Sequence, residues 1–427
     1  MRKTKVLVFP CGAENGLNVI NALKYNIHFE IFGATNREDH SEYVLDDKHL
    51  SIGDYNIHND NFLNVFNTLL EKNEIDFIIP THDEIVLFLM QNQNKIRATV
   101  VASPSETCEI AFSKIKTFNT LKGASYLPNI YKNKDEIKFP VFIKPNHGAG
   151  GKGTKLIENA ADFSSVDNID EYLISEYLPG DEYTIDCFTD RKGKLLFVGP
   201  RTRERITNGV SFRSKNIELD DNIKSIAEDI NSRLKFRGLW FFQLKKDVKN
   251  EYKLMEIAVR CEGTMDLYRE LGVNFLSLTL FDFMGYDVDI IYNKYDIELD
   301  RFYKSSYKIS YEYKCVYVDF DDTIVIDDKV NLIVLSFLYQ CFNRNIKIIL
   351  LTKHSTNIYD DLEKYCINKN LFNEIIHLKE DEKKSDYIKQ KDSIFIDNYF
   401  FDRKEVLNKS GIPVFDVDAV ESLLIGS

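Results

Sequence analysis

Two stretches of this chain carry residue types spaced for chemistry. The first, FPVFIKPNHGAGGKGTKLI (139–157), follows the apolar run Val141-Phe142-Ile143 with glycines at 148, 150, 151 and 153 and lysines at 144 and 152. Glycine loops after strands bring backbone N–H groups close to phosphate oxygens, because no Cβ intervenes. The second, VYVDFDDTIV (316–325), sets Asp319, Asp321 and Thr323 at alternate positions behind an apolar strand. Alternation points both carboxylates to one side, and two carboxylates at a strand end suit Mg2+.

The glycine loop has several readings. Gly148, Gly150 and Gly153 satisfy G-x-G-x-x-G, but a dinucleotide motif needs a helix next, and TKLIE is strand-like. A Walker loop ends G-K-[ST]; here Gly153 is followed by Thr154-Lys155, again without a helix. A strand–loop–strand lid fits better, with Lys144 aiming a cation at the covered phosphates and His147 and Lys152 adding to it. An ordinary hairpin turn competes, and against it stands the entropic cost of four glycines in six residues.

Downstream residues bear on the choice. In LISEYLPGDEYTID (173–186), Glu176 ends an apolar strand, then come Tyr177-Leu178, Glu182 and Asp186. Gln243 and Glu256 lie on the two arms of a hairpin turning at Lys249-Asn250, and hard oxygen ligands on neighbouring strands suit Mg2+ at nucleotide phosphates. Arg260 follows Glu256 at i+4. PRTRERITNGVSFRSKN (200–216) holds Arg201, Arg203, Arg205 and Arg213. It reads either as a substrate-facing basic strand for a carboxylate or sugar acid, or as a solvated charged strand. In PTHDE (80–84), His82 and Asp83 meet a substrate at a sheet edge, or Asp83 caps a helix.

The elements that must position these residues follow from periodicity. KVLVF, HFEIFGAT, DFIIPT and ATVVAS read as strands alternating with helices such as NFLNVFNTLLEKN and DEIVLFLMQNQ, which implies a parallel sheet. After about residue 110 the pattern turns α+β. SKIKTFNTLKG and SIAEDINSRL read as helices, FPVFIKP with GTKLIE as paired strands, and the segments around 172–189 and 194–206 as antiparallel. Residues 293–314 are polar, tyrosine-rich and aperiodic, which marks a boundary. Strand–helix alternation then restarts, with IKIILLT, SIFIDN and PVFDV as later strands and a single helix near NLIVLSFLYQCFNRN between the first two, leaving no room for a cap.

A chain of 427 residues exceeds one core, so two or three domains are expected. The net charge of −12 argues against nucleic acid as the main partner. The seven cysteines are scattered without a C-x-x-C pair, which argues against a disulfide framework or a zinc site and for reduced thiols in the cytoplasm. No signal peptide is recognisable, and no run approaches the roughly 20 apolar residues of a membrane helix.

By motif order, residues 1 to about 290 resemble an ATP-grasp ligase, of the branch similar to a short carbamoyl phosphate synthetase large subunit. The order is the α/β start, Ser113-Lys114, FIKP, the glycine lid, EYLPGDEYTID, then Gln and Glu. The resemblance implies that Lys114 and Lys144 contact phosphates and the adenine edge, and that Gly150, Gly151, Lys152 and Gly153 form the lid over ATP. It implies that Glu176, Tyr177 and Leu178 meet the adenine and Glu182 the ribose. Gln243 and Glu256 would bind Mg2+, and Arg260 would stabilise the transferring phosphate. One departure is Ala258, where the family often has a metal-binding Asn in E-x-N-x-R.

Residues from about 312 onward resemble haloacid dehalogenase-like phosphatases. That implies Asp319 as nucleophile, Asp321 as general acid/base, and Thr352 with Lys384 (over Lys383) neutralising phosphoryl oxygens. Asp397, with Asp319 and Asp321, would hold Mg2+. Asn398 stands where a second acid is frequent, so metal binding would lean on Asp402.

The implied architecture is α/β and α+β: a pre-ATP-grasp α/β domain (1–110), an ATP-grasp domain (111–300) and an uncapped, Rossmann-like haloacid dehalogenase-like domain (301–427). The expected activity is ATP- and Mg2+-dependent carboxylate–amine ligation through an acyl phosphate, fused to a phosphatase. A small-molecule kinase, or one half serving as a binding or regulatory module, are the alternatives. Expected partners are a small-molecule carboxylate with an amine or sugar-acid substrate; a homodimer is left open, and neither nucleic acid nor membrane is expected.

Overall fold

The apolar, β-branched runs near the N-terminus build the central strands of a parallel sheet. A computed structural model describes residues 2–53, 55–131, 134–148, 150–302 and 304–425. Strands β1 (Thr4–Phe9), β2 (Phe29–Thr35), β3 (His49–Ser51), β4 (Phe77–Pro80) and β5 (Thr99–Val100) form a sheet of order β3-β2-β1-β4-β5. The short edge strand β3 was not among the expected strands; three residues with only Leu50 apolar carry no readable alternation.

Three further sheets complete this unit. Strands β6 (Val141–Pro145), β7 (Lys155–Ile157) and β8 (Tyr172–Glu176) pair antiparallel in the order β7-β6-β8, so the glycine loop does join two strands. Strands β9 (Glu182–Thr189), β10 (Leu195–Thr202), β13 (Gly238–Lys246) and β14 (Tyr252–Ala258) form an antiparallel sheet of order β10-β9-β13-β14, with Asn250 at positive φ in the β13–β14 turn. A small sheet joins β11 (Arg205–Thr207), β12 (Val210–Lys215) and β15 (Glu298–Asp300). Strand β15 lies inside the stretch expected to be a linker.

Contacts divide the chain into two units, 1–303 and 304–427. The expected separation at residues 110/111 is absent from this division, and the packing explains why. One apolar cluster runs from Phe62, Phe66 and Ile78 to Ile226, Trp240 and Phe242, and a second joins Val6, Val8 and Ile79 to Phe188, Phe241 and Tyr268. Each spans the residue-110 boundary, so the parallel sheet and the antiparallel sheet bury a common surface.

The second unit is a five-stranded parallel sheet, order β20-β19-β16-β21-β22, from β16 (Cys315–Val318), β19 (Lys347–Thr352), β20 (Glu374–His377), β21 (Ser393–Ile396) and β22 (Val414–Phe415). Val316, Val318, Leu350, Ile394 and Ile396 are wholly buried against Phe337 and Leu338 of the helix Leu332–Asn343. A hairpin of β17 (Val325–Ile326) and β18 (Lys329–Val330) precedes that helix, so the β16–β19 connection is not the single helix that the sequence implied. No helix among the described residues is long and apolar enough to cross a membrane.

Candidate functional site

Alternation gives the β10-β9-β13-β14 sheet one apolar face and one that joins apolar residues such as Phe188 and Phe241 to a polar row. Ile185, Cys187, Trp240, Phe242 and Leu244 pack on Ile223, Ile226 and Ile230 of the helix Asp221–Arg233. The intervening residues face the other way. Register places Arg201, Thr184, Gln243 and Glu256 in one row across the four strands. Gln243 and Glu256 are thus direct cross-strand neighbours, and among the described residues their side chains make no hydrogen bond. A Gln oxygen and a carboxylate left uncommitted side by side fit Mg2+.

Lys144, at the end of β6, is half-buried beside this row. Burial pushes its ammonium down to about 8, with Lys114 and Lys245 acting in the same direction and Glu256 and Glu182 against it. Those five charges therefore lie close together. Lys114 and Glu256 also line a cleft, with Asp83, Phe112, Gly148, Ala258 and Arg260. Lys114 opens the helix Lys114–Thr120, whose N-cap Ser113 accepts from Lys116 N at 3.3 Å. Asn146 Oδ1 ties that helix to β6, accepting from Ser113 Oγ (2.9 Å) and Ile115 N (3.0 Å), and Lys114 Nζ donates to Gly148 O at 3.0 Å.

The glycine loop turns through Gly150, Gly151 and Gly153 at φ of 66°, 66° and 74°, and Lys152 is exposed on it; Ala149 lies outside the described residues. The loop meets a second glycine turn. A Cβ on Gly209 would fall 2.6 Å from Gly150 C and 2.8 Å from Gly151 N. This Asn208–Gly209 tip of the β11–β12 hairpin is held by Arg203, whose Nη2 donates to Gly209 O at 2.8 Å. Sequence reasoning did not connect the two turns, which lie almost sixty residues apart.

The residues expected around adenine and ribose already have partners. Glu176 accepts from Asn129 N (2.8 Å) and Nδ2 (3.2 Å), Tyr177 is half-buried and Leu178 buried. Glu182 pairs with Lys245 (2.8 Å) and Arg203 (3.4 Å). Burial opposes its charge, yet the two cations hold its carboxyl below the usual range. Lys245 was missed, although it sits two residues from Gln243 on the same face.

The basic stretch 200–216 is not a free basic strand. Arg201 is fully buried: Nε donates to Asp186 Oδ2 (2.7 Å), and the other nitrogens to Glu262 and Thr264. Despite burial, Arg201 and Arg203 bring the Glu262 carboxyl down to about 2. Arg205 and Arg213 both pair with Asp300 of β15. Asp83 does not occupy the cap position. It lies in the first turn of the helix Asp83–Gln91 and pairs with Arg260 at 2.8 Å, fixing the guanidinium over the Phe241 ring.

In the second unit, register alone brings two acids together. Val318 pairs with Ile396, so Asp319 and Asp397 emerge side by side, and Asp319 N donates to Ile396 O at 3.0 Å. Lys384 Nζ lies 2.8 Å from Asp319, 2.6 Å from Asp397 and 3.5 Å from Asp402. Burial and the neighbouring Asp319 push the Asp397 carboxyl up to about 6, although Lys384 opposes this. Thr352, at the end of β19, is buried. Asp321 is half exposed and engaged by His354, Nδ1 to Oδ1 2.9 Å; His354 Nε2 reaches Asp361 at 2.7 Å. Sequence reasoning assigned His354 and Asp361 no role.

Comparison with known proteins bears on the first unit. A family model described as ATP-grasp in the biosynthetic pathway with Ter operon matches residues 168–302. The biotin carboxylase domain of Hydrogenobacter thermophilus 2-oxoglutarate carboxylase, solved with MgADP and bicarbonate, superposes with a TM-score of 0.56 at 17% identity, over 69% of this chain and 72% of that one. The chain contains an ATP-grasp fold. In sequence it is 28% identical over 158 residues to the arginine-specific carbamoyl phosphate synthase large chain of Bacillus subtilis, and 25% over 157 residues to a D-alanine–D-alanine ligase of Clostridium perfringens. These matches cover 34% and 35% of this chain, but only 15% and 50% of those relatives. The family model covers the hairpin of Gln243 and Glu256, and Lys144 lies before its first matched residue.

Proposed function

We propose that the ATP-grasp unit joins a carboxylate to an amine at the expense of ATP, with Mg2+. The observation that carries this is the cross-strand pair Gln243–Glu256, free of hydrogen bonds, with Glu256, Lys114 and Gly148 of the glycine loop lining one cleft and Lys144 close enough to feel both charges. Gln243 and Glu256 would hold Mg2+, which neutralises nucleotide phosphate charge. Lys144 and Lys114 neutralise phosphate oxygens, and the lid's backbone N–H groups exclude water above them. Arg260, aimed by Asp83, lies on the same wall to stabilise charge on the transferring phosphoryl group. The acceptor carboxylate takes that group as an acyl phosphate, and an amine then displaces phosphate. Relatives named as a D-alanine–D-alanine ligase and a carbamoyl phosphate synthase chain support this reaction class over a kinase.

The test is ADP release by the full chain over a panel of amino acids and sugar acids, with mass detection of the product. Glu256→Gln should abolish Mg2+-dependent release. An acceptor recovered phosphorylated, without an amide, would turn the reading to a kinase.

A second reading concerns residues 304–425: a Mg2+-dependent phosphatase of the haloacid dehalogenase-like kind. It is favoured by the gathering of Asp319, Asp397 and Asp402 on the ammonium of Lys384. Three carboxylates on that cation leave net negative charge, the condition that draws a further cation. Asp319 would attack phosphorus, and Asp321, oriented by His354, would move the proton. Hydrolysis of p-nitrophenyl phosphate with Mg2+, lost in Asp319→Asn, tests it; an inactive wild type would leave this unit as a binding module.

A further inference from the structure

A separate cluster of chemistry-bearing groups lies in the parallel sheet, with no ligand in common with the sites above. Cys11 follows β1, Asp39 follows β2, and His49 opens β3. Among the described residues, these three side chains offer a sulfur, an oxygen and a nitrogen all within 4.8 Å of one another. The sheet register explains the meeting. Gly33 pairs with His49, and a Cβ there would meet Leu45 Cδ1 and Cys11, so the residue beside both carries no side chain. A Cβ on Gly33 would lie 2.8 Å from Cys11 Sγ, and one on Gly12 would overlap the Asp39 carboxylate. Two glycines therefore make room for the three ligands.

The groups are oriented but not mutually satisfied. Ser41 fixes Asp39 by donating from N to Oδ1 at 2.9 Å and from its hydroxyl to the same oxygen, and lies 3.0 Å from Cys11 Sγ. His49 Nε2 is buried with no hydrogen-bond partner, and stops 4.0 Å from Asp39 Oδ1, too far for a hydrogen bond. A buried ring nitrogen facing a carboxylate without bonding to it is costly unless something lies between them.

We propose that Cys11, Asp39 and His49 form a binding site for a single transition-metal ion of the zinc class. Sulfur, imidazole and carboxylate together are a borderline-soft donor set, which selects Zn2+ or Co2+ over Mg2+. Ligand bonds of about 2.0–2.3 Å require the donors to close by roughly an ångström. Binding releases the Cys11 thiol proton to solvent as the thiolate forms; in the metal-free protein, burial and Asp39 hold that thiol up at about 11. Three protein ligands leave a fourth position for water or a substrate oxygen, at the carboxyl ends of β1 and β2 where ligands of parallel sheets bind. The site is independent of the proposed ligase chemistry.

The experiment uses the full chain after chelator treatment, titrated with Co2+ and then with Zn2+ against a chromophoric chelator. The expected result is one tightly bound ion with sulfur-to-cobalt charge-transfer absorption, displaced by Zn2+. Affinity should fall tenfold or more in Cys11→Ser and in His49→Gln, and remain unchanged in Glu256→Gln. Melting curves of the metal-free variants check that they fold, and Asp39→Asn provides a third variant should either fail. Absence of charge-transfer absorption, or its persistence in Cys11→Ser and His49→Gln, overturns the site and leaves a buried hydrogen-bond network.

Discussion

Replacing Arg201 by Met tests whether the arginines of 200–216 serve structure or substrate. Arg201 has no solvent exposure and lies between two carboxylates, Asp186, also fully buried, and Glu262. Removing one partner of such a group leaves uncompensated buried charge, which costs roughly 3–5 kcal/mol. Glu262 sets an upper bound by a second route: holding its carboxyl at about 2 rather than 4.5, which Arg201 does together with Arg203 and Thr264 N, corresponds to about 3 kcal/mol at neutral pH. A cost of this size lowers the melting temperature by on the order of 10 °C. The pH dependence has a definite sign. Glu262, depressed in the native state, contributes stability that is present above its ordinary 4.5 and lost as pH falls toward 2. Asp186, raised by burial, works oppositely in part. In the variant Asp186 lacks its cation and Glu262 keeps only Arg203 at 3.6 Å, so both carboxyls rise and the variant loses less stability than the wild type as pH falls. The gap must narrow between pH 7 and pH 3. Calorimetric or circular-dichroism melts across that range measure it. Replacing the whole group at once, by combining Arg201→Met with Asp186→Leu and Glu262→Met, should restore much of the loss, since apolar substitutes for buried ionic groups are commonly neutral or better. A single Arg201→Met variant that melts with the wild type at pH 7, or a gap that ignores pH, would refute the structural assignment.

Three other outcomes follow from the same geometry. Lys144, held near 8 by burial, loses its charge as pH rises through that value, so kcat/KM for ATP should fall above pH 8; Lys144→Arg should move that limb upward, as a pH–rate profile would show. Gly209→Ala places a methyl group against Gly150 and Gly151 at positive φ, so KM for ATP should rise several-fold and the melting temperature should fall, read by steady-state kinetics and thermal melts. His354 is disfavoured as a cation by burial, but its bonds to Asp361 and Asp321 outweigh this and raise its pKa above 6.5. Its stabilising share is present below 6.5 and lost as pH rises through the raised value, so His354→Gln should destabilise the second unit at pH 5.5 more than at pH 9, measured by denaturant melts.

What could be read from sequence depended on how far the partners lie apart. Strands β1, β2, β4, β16 and β19 are apolar runs whose burial shows in their own residues. Gln243 and Glu256 could be placed together because one hairpin joins them and both lie at the same distance along the chain from its Lys249-Asn250 turn. Arg201 could not be placed, because its partners are 15 and 61 residues away and reach it through sheet register and a loop. Arginine's usual exposure then pointed the wrong way. The Asp83–Arg260 pair spans the parallel and antiparallel sheets, whose shared core no local pattern announces. The glycine lid was legible as a loop, but its contact with Asn208–Gly209 depends on a hairpin whose edge strand, β15, reads as linker.

Ala258 offers a final test of how the cation is held. It lies two residues after Glu256 on β14, is buried at 5% exposure, and packs in the cluster that contains Phe241 and Tyr268. It also lines the cleft beside Glu256 and Arg260, where its methyl group offers no ligand. Mg2+ at phosphate sites commonly takes one or two carboxylates, with substrate phosphates and water completing its shell. Glu256 and Gln243 are then sufficient without an asparagine. Ala258→Asn should cost about 1–3 kcal/mol in the nucleotide-free protein, by burying an amide among apolar neighbours. If the cation is held as argued, adding Mg2+ and ATP should not restore that loss, and the Mg2+ concentration for half-maximal ADP release should stay within twofold of wild type. A variant rescued by Mg2+-nucleotide, with a lower Mg2+ requirement, would instead mean that the site has room for a third protein ligand and that Ala258 is a lost one.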